Sequence, residues 1–85
     1  MNKDTETLII TMEECGELIQ ACSKIIRSNG KKKYLDNLQD EAGDVYCMLK
    51  LLISRGLIDE SKLQEREQEK LGKLKKWSKL FSDEN

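Results

Sequence analysis

The stretch that decides the fold is residues 5–28, TETLIITMEECGELIQACSKIIRS. Apolar and thiol side chains recur in it at alternating steps of four and three residues, which is the period of one face of an α-helix. This face, the main seam, consists of Leu8, Met12, Cys15, Ile19, Cys22 and Ile26. The pattern predicts a long first helix, which Asp4 or Thr5 caps and the pair Asn29-Gly30 ends.

Two further helices are predicted downstream. Residues 34–55 repeat the helical period and end at Gly56, with a stripe made of Leu38, Ala42, Val45, Leu49 and Leu52. Residues 61–81 open on a candidate capping box, Ser61 to Gln64, and carry Leu63, Leu74, Trp77 and Phe81 on one side. We therefore expect an all-α fold, an antiparallel helical hairpin plus a third helix, within one domain spanning residues 1–85.

Composition narrows the classes of protein and of partner. The 85 residues include no proline and only four aromatic residues, which disfavours an all-β fold. The net charge of -1 leaves no global basic field for a nucleic acid, and no stretch approaches the ~20 apolar residues of a membrane span. We expect a cytoplasmic protein that binds neither nucleic acid nor membrane. Three cysteines without any histidine disfavour a zinc site and are expected to be reduced core residues.

Two acidic motifs lie on the hairpin, EExxE at residues 13–17 and ExxD at residues 41–44. At 100° per residue, Glu14 points about 120° away from the main seam, into a second apolar sector. That sector contains Ile10, Leu18, Ala21 and Ile25. Glu17 lies one turn further and about 60° round, so the carboxylates of Glu14 and Glu17 are expected to converge on one point.

The second motif lies within the apolar stripe of its helix. Glu41 falls between Val45 and Met48, and Asp44 borders Met48. Carboxylates meeting in such a place repel one another and need a neutralising ion, and an all-oxygen ligand set suits Mg²⁺ or Mn²⁺. Gly16 and Gly43, next to the two motifs, suggest close backbone approach at that level.

The third helix supplies the opposite charge. Arg66, Lys70 and Lys73 fall within an arc of about 60° that also contains Trp77. This basic strip is suited to holding phosphate oxygens next to a metal ion. It is equally suited to pairing with Glu13, Glu17 or the acids of a neighbouring subunit.

Residues 12–21, MEECGELIQA, followed by residues 40–46, DEAGDVY, resemble the signature of the MazG-like all-α nucleoside triphosphate pyrophosphohydrolases. The resemblance covers residues 8–76. It implies a helical bundle assembled as homodimers or homotetramers, and Mg²⁺-dependent hydrolysis of a (d)NTP to the monophosphate and pyrophosphate. Matched position by position, it implies the metal ligands Glu14, Glu17, Glu41 and Asp44.

The same resemblance implies that Lys70 and Lys73 contact the substrate phosphates. Since the chain has no histidine, the general base is expected to be a carboxylate, with Glu13 and Glu17 as candidates, or metal-bound hydroxide. Two apolar sectors on the first helix also predict self-association, because one hairpin and one helix leave a sector uncovered. Two alternatives stay open: a phosphoribosyl-ATP pyrophosphatase, and a non-catalytic helical oligomerisation module whose acids pair with lysines of the third helix.

Overall fold

The computed structural model describes residues 2–82, which form three α-helices and no strand. Helix α1 spans Lys3–Ser28, α2 spans Lys32–Ser54 and α3 spans Glu60–Trp77. The all-α prediction is confirmed. Within the described residues, no helix combines the length and apolar composition of a membrane span. Residues 83–85, which we expect from the sequence to fray, lie outside the described residues.

The first helix begins two residues earlier than predicted. The Asn2 side chain, rather than Asp4 or Thr5, caps α1 by accepting the Thr5 N–H at 2.7 Å. At the other end, Asn29 and Gly30 adopt left-handed φ values of 61° and 84°. The Gly30 N–H donates to the carbonyl of Ile25 at 3.0 Å, which satisfies the helix end and turns the chain, as predicted.

The connection between α2 and α3 is partly as predicted. Gly56, at a φ of 74°, follows the end of α2, and the Leu57 N–H donates to the carbonyl of Leu52. The capping box at Ser61 is wrong. Asp59 caps α3 by accepting the Lys62 N–H at 3.0 Å, and the Ser61 hydroxyl also donates to Asp59 at 2.6 Å. Helix α3 ends at Trp77, short of Phe81, because Ser78 is extended.

Helices α1 and α2 pack against each other along a shared seam. Helix α1 turns its second apolar sector toward α2, so that Ala21 is buried and Glu14, Leu18 and Ile25 are half-buried. On α2 the buried positions are Met48 and Leu52, and the half-buried positions are Tyr34, Asn37, Leu38, Glu41, Val45 and Ile53. The predicted stripe is wrong at Ala42 and Leu49, which are exposed because the stripe follows the 38-41-45-48-52 register.

The main seam of α1 is left in solvent. Met12, Ile19 and Ile26 are 72%, 70% and 81% exposed. All three thiols are free and exposed, which corrects the expectation of core cysteines. Close backbone approach within the chain is also wrong, because a Cβ built on Gly16 or Gly43 meets nothing within 4 Å.

Helix α3 does not complete a bundle within one chain. It buries no residue, and Leu63, Trp77 and Phe81 of the predicted apolar side are exposed. It faces α2 across a shallow groove lined by Tyr46, Leu49, Ile53, Leu63 and Glu67, among others. The radius of gyration, 15.7 Å, exceeds the ~12 Å expected for a compact domain of this length, so α3 extends the molecule rather than covering the hairpin.

Candidate metal centre

The hairpin brings three carboxylates from two helices to one place. Glu14 of α1 and Glu41 and Asp44 of α2 each offer one oxygen, and these atoms all lie within 4.8 Å of one another. Glu14 and Glu41 are half-buried, and Asp44 is exposed. We call these three residues the acid cluster. It lies midway along the hairpin, on the edge of the helix interface.

The register of the two helices explains this convergence. Glu14 occupies the α2-facing row of α1, between Thr11 and Leu18. Glu41 occupies the corresponding row of α2, between Leu38 and Val45, while Asp44 lies one turn further on. Each helix therefore places a carboxylate where packing would otherwise favour an apolar side chain.

The electrostatics of the cluster disfavour a full set of negative charges. The pKa of Glu14 is raised above its usual value of 4.5, chiefly by partial burial and then by the negative charges of Asp44 and Glu41. Glu17 and Glu13 add smaller contributions of the same sign. The Asn37 side-chain amide donates to Glu41 at 3.4 Å. No cation of the described residues forms an ion pair with the cluster, whose charge is therefore unbalanced by protein groups.

The donor set fits a hard divalent cation. All three groups are carboxylates, the ligand class that Mg²⁺ and Mn²⁺ prefer. Ligand oxygens of one Mg²⁺ lie at most about 4.2 Å apart, twice the bond length, so a contraction of under about 1 Å suffices for binding. Mg²⁺ also keeps several waters, which a site open on its Asp44 side accommodates.

The other two predicted acids lie outside this cluster. Glu17 is exposed and does not share the 4.8 Å grouping, although its charge reaches Glu14. It lies about 60° round α1 from Glu14, on the side that borders the cluster. Glu13 is exposed and lies about 100° from Glu14 in the same direction, about 40° further round α1 than Glu17. Three of the four expected ligands thus converge in a single chain.

The predicted phosphate ligands are not brought to the cluster. Lys70 and Lys73 are exposed on α3. The ion pairs within residues 2–82 are Lys32–Asp36, Arg55–Asp4 and Arg66–Glu69, so neither lysine pairs with an acid of the hairpin. The basic strip therefore faces solvent.

Sequence reasoning passed over a basic cavity at the hairpin turn. A cavity of about 410 Å³ is lined by Lys24, Arg27, Ser28, Lys31 and Tyr34. These residues share one end of the hairpin because the chain reverses at Asn29 and Gly30. Their nearness was predictable, because residues at similar distances before and after a turn lie at the same level of a hairpin. Lys24 lies ten residues beyond Glu14, or about 15 Å along α1, so the cavity does not border the acid cluster.

Comparisons with known proteins give no match, so the function is inferred from the residues of this chain alone. No family model, no curated protein and no solved structure matches this chain.

Proposed function

We propose that this protein is a Mg²⁺-dependent nucleoside triphosphate pyrophosphohydrolase, with Mn²⁺ as a substitute cation, that works as a homodimer or homotetramer. The observation that carries the proposal is the acid cluster, in which Glu14 meets Glu41 and Asp44 within 4.8 Å at a half-buried place. The reaction itself comes from the resemblance of residues 12–21 and 40–46 to the MazG-like family. The product of a (d)NTP would be the monophosphate and pyrophosphate.

Each residue has a role that follows from its position. Glu14, Glu41 and Asp44 would hold the cation, which when bound supplies positive charge for the phosphate oxygens and activates water. Glu17 borders the cluster and is the better placed general base. It would take the proton of the attacking water as the bond between the α-phosphorus and the bridging oxygen breaks and pyrophosphate leaves. Glu13 lies about 40° further round α1 from Glu14 than Glu17 does and is the second candidate.

The test replaces a carboxylate by an amide of the same shape. Glu14→Gln and Glu41→Gln should each lower Mg²⁺-dependent pyrophosphate release from (d)NTPs by at least about 100-fold, because each removes a charged ligand. Asp40→Asn is the matched control, since Asp40 precedes Glu41 but is exposed and outside the cluster. Full activity in both glutamine variants, or an equal loss in the control, would refute the assignment.

A panel of substrates distinguishes a (d)NTP pyrophosphohydrolase from a phosphoribosyl-ATP pyrophosphatase. Phosphoribosyl-ATP is included beside the canonical and modified (d)NTPs, and a preference for it would move the assignment to a phosphoribosyl-ATP pyrophosphatase. The same acid cluster serves either substrate, so this outcome changes the substrate and leaves the site in place.

A non-catalytic oligomerisation module is the second candidate function, and the exposed main seam favours it. Melting with and without Mg²⁺ distinguishes the two. A cation that binds the folded chain stabilises it by mass action, by about 2.7 kcal/mol at a hundredfold excess over Kd. We expect Mg²⁺ to raise the Tm of the native chain and of Asp40→Asn, but not of Glu41→Gln. An unchanged Tm in all three would favour the module.

A further inference from the structure

The main seam of α1 is a complete helical interface without a partner among residues 2–82. Its six side chains follow the four-three spacing of a coiled-coil seam over about 27 Å of helix. Helix α3 is in place and does not cover it, since Met12, Ile19 and Ile26 remain at least 70% exposed. Leaving so many aliphatic side chains in water is costly, at roughly 1.5–3 kcal/mol for each large residue.

The surface area of the chain indicates that a partner covers it. A folded monomer of 9.8 kDa exposes about 5,200 Å² on the usual scaling with mass. This chain exposes 7167 Å². The excess of about 2,000 Å² is larger than the ~800 Å² that each partner buries in an interface of standard size. A second protein surface of substantial area is therefore needed.

The seam is symmetric about residue 17 in a way that fits a second copy of itself. In an antiparallel pair of α1 helices centred there, Leu8 faces Ile26, Met12 faces Cys22 and Cys15 faces Ile19 of the other copy. Every seam residue thus meets another seam residue, as a two-fold interface requires.

Helix dipoles and small side chains favour the same arrangement. Antiparallel pairing brings opposite ends of the two helix dipoles together, whereas parallel pairing brings like ends together. The flank of the seam is uncharged up to Arg27, consisting of Thr5, Ile9, Gly16 and Ser23.

Gly16 lies at the centre of that flank, about 80° from the midline of the seam. No atom of the described residues lies within 4 Å of the place of a Cβ there. The missing side chain therefore has no role in packing within the chain, and it permits close approach of another backbone.

We infer that two copies of this chain associate through the main seams of their α1 helices, antiparallel and centred on residue 17. The interface leaves the α2-facing side of α1, and with it Glu14, free for the acid cluster. The inference makes specific the self-association that forms part of the proposed function and rests on it in that respect. Its experiment measures assembly without substrate, so its failure is distinguishable from failure of the hydrolase activity.

Sedimentation equilibrium under reducing conditions provides the first test. The native chain should be at least dimeric, and Ile19→Asp should raise the dissociation constant by at least about 100-fold, because it places an unpaired charge in the seam. Leu35→Asp is the matched control, since Leu35 is an exposed aliphatic residue of α2 outside the seam. A monomeric native chain, or a dimer that survives Ile19→Asp, would overturn the inference.

Disulfide trapping fixes the orientation independently of any destabilised variant. In a Cys22→Ser, Cys47→Ser chain, the added substitution Ile19→Cys should give a covalent dimer on oxidation through residues 15 and 19 of opposite copies. The parent chain, which keeps Cys15 alone, should stay uncrosslinked, because antiparallel pairing holds the two Cys15 residues too far apart to bridge. A covalent dimer of the parent would indicate parallel pairing and overturn the inference, as would an uncrosslinked Ile19→Cys chain.

Discussion

The α1–α2 hairpin and helix α3 are both amphipathic in sequence, but only the hairpin has a core. The hairpin buries Ala21, Met48 and Leu52, whereas α3 buries nothing. The difference lies in how continuous the apolar rows are. The α2-facing row of α1 and its counterpart on α2 carry an apolar or small side chain at nearly every turn, interrupted by the acid cluster.

Helix α3 has a gap in its row. Between Leu63 and Leu71 there is no apolar side chain over two turns, and charged or amide residues fill the segment. Its stability comes from local interactions instead: the Asp59 cap, the Arg66–Glu69 pair at 3.1 Å, and Lys75 and Lys76 in the last turn. Helix α3 is thus stabilised by interactions within its own segment and not by packing on the hairpin.

The largest expected effect tests whether the hairpin contributes more than α3 to the free energy of unfolding. Leu52→Ala should lower the free energy of unfolding by about 2–3 kcal/mol, the low end for a buried leucine, because a two-helix layer relaxes into the cavity. Leu71→Ala on α3, where Leu71 is only half-buried, should cost less than about 1 kcal/mol. Urea denaturation followed by circular dichroism measures both variants. Equal losses would show that α3 belongs to the same cooperative core.

Sequence patterns predicted the hairpin well because its signals are local. The helical period placed α1 and α2, and the residues that adopt positive φ, Asn29, Gly30 and Gly56, placed their ends. The caps were less predictable. Asn2 and Asp59 each precede another polar residue that is able to cap, and only the start of the backbone helix decides between them.

The choice of packing face was beyond a sequence pattern. Helix α1 has two apolar sectors about 120° apart, and the more regular one, the main seam, is the one left exposed. The acid cluster, by contrast, was predictable from the sequence. Glu14 and Glu41 lie in apolar rows, and the pairing of those rows brings them together whichever other face is covered. Glu17 lies at the border of its row, and a rule of spacing does not fix its distance from the others.

A second effect of intermediate size tests whether α3 takes part in the site. Lys70→Gln with Lys73→Gln should lower kcat/KM for a (d)NTP by about 10-fold, equivalent to about 1.4 kcal/mol, if these lysines contact phosphates in the assembled protein. The control is Lys75→Gln with Lys76→Gln, which removes the same charge from the last turn of α3. Equal activity in both double variants would show that Lys70 and Lys73 do not contact the substrate phosphates.

The smallest effect contrasts one acid from each region, Glu14 in the hairpin and Asp59 at the start of α3. The pKa of Glu14 is raised above 4.5, mainly by partial burial, so the folded chain holds its proton more tightly than the unfolded chain. The pKa of Asp59 is lowered below 3.8, mainly by the hydrogen bond from Ser61, so the folded chain releases that proton more readily. The two groups therefore give stability opposite dependences on pH.

Urea denaturation without divalent cations, from about pH 3 to about pH 8, separates the two groups. The contribution of Glu14 to the free energy of unfolding should fall as pH rises from 4.5 through its raised pKa, and Glu14→Gln should abolish that fall. The contribution of Asp59 is complete above 3.8 and should be lost as pH falls through its lowered pKa, a loss that Asp59→Asn should remove. Mg²⁺ should oppose the first effect alone, because a cation in the acid cluster favours the ionised form of Glu14. If the free energy of unfolding still falls with rising pH in Glu14→Gln, another group binds the proton. The raised pKa of Glu14 would then not be the cause of the fall.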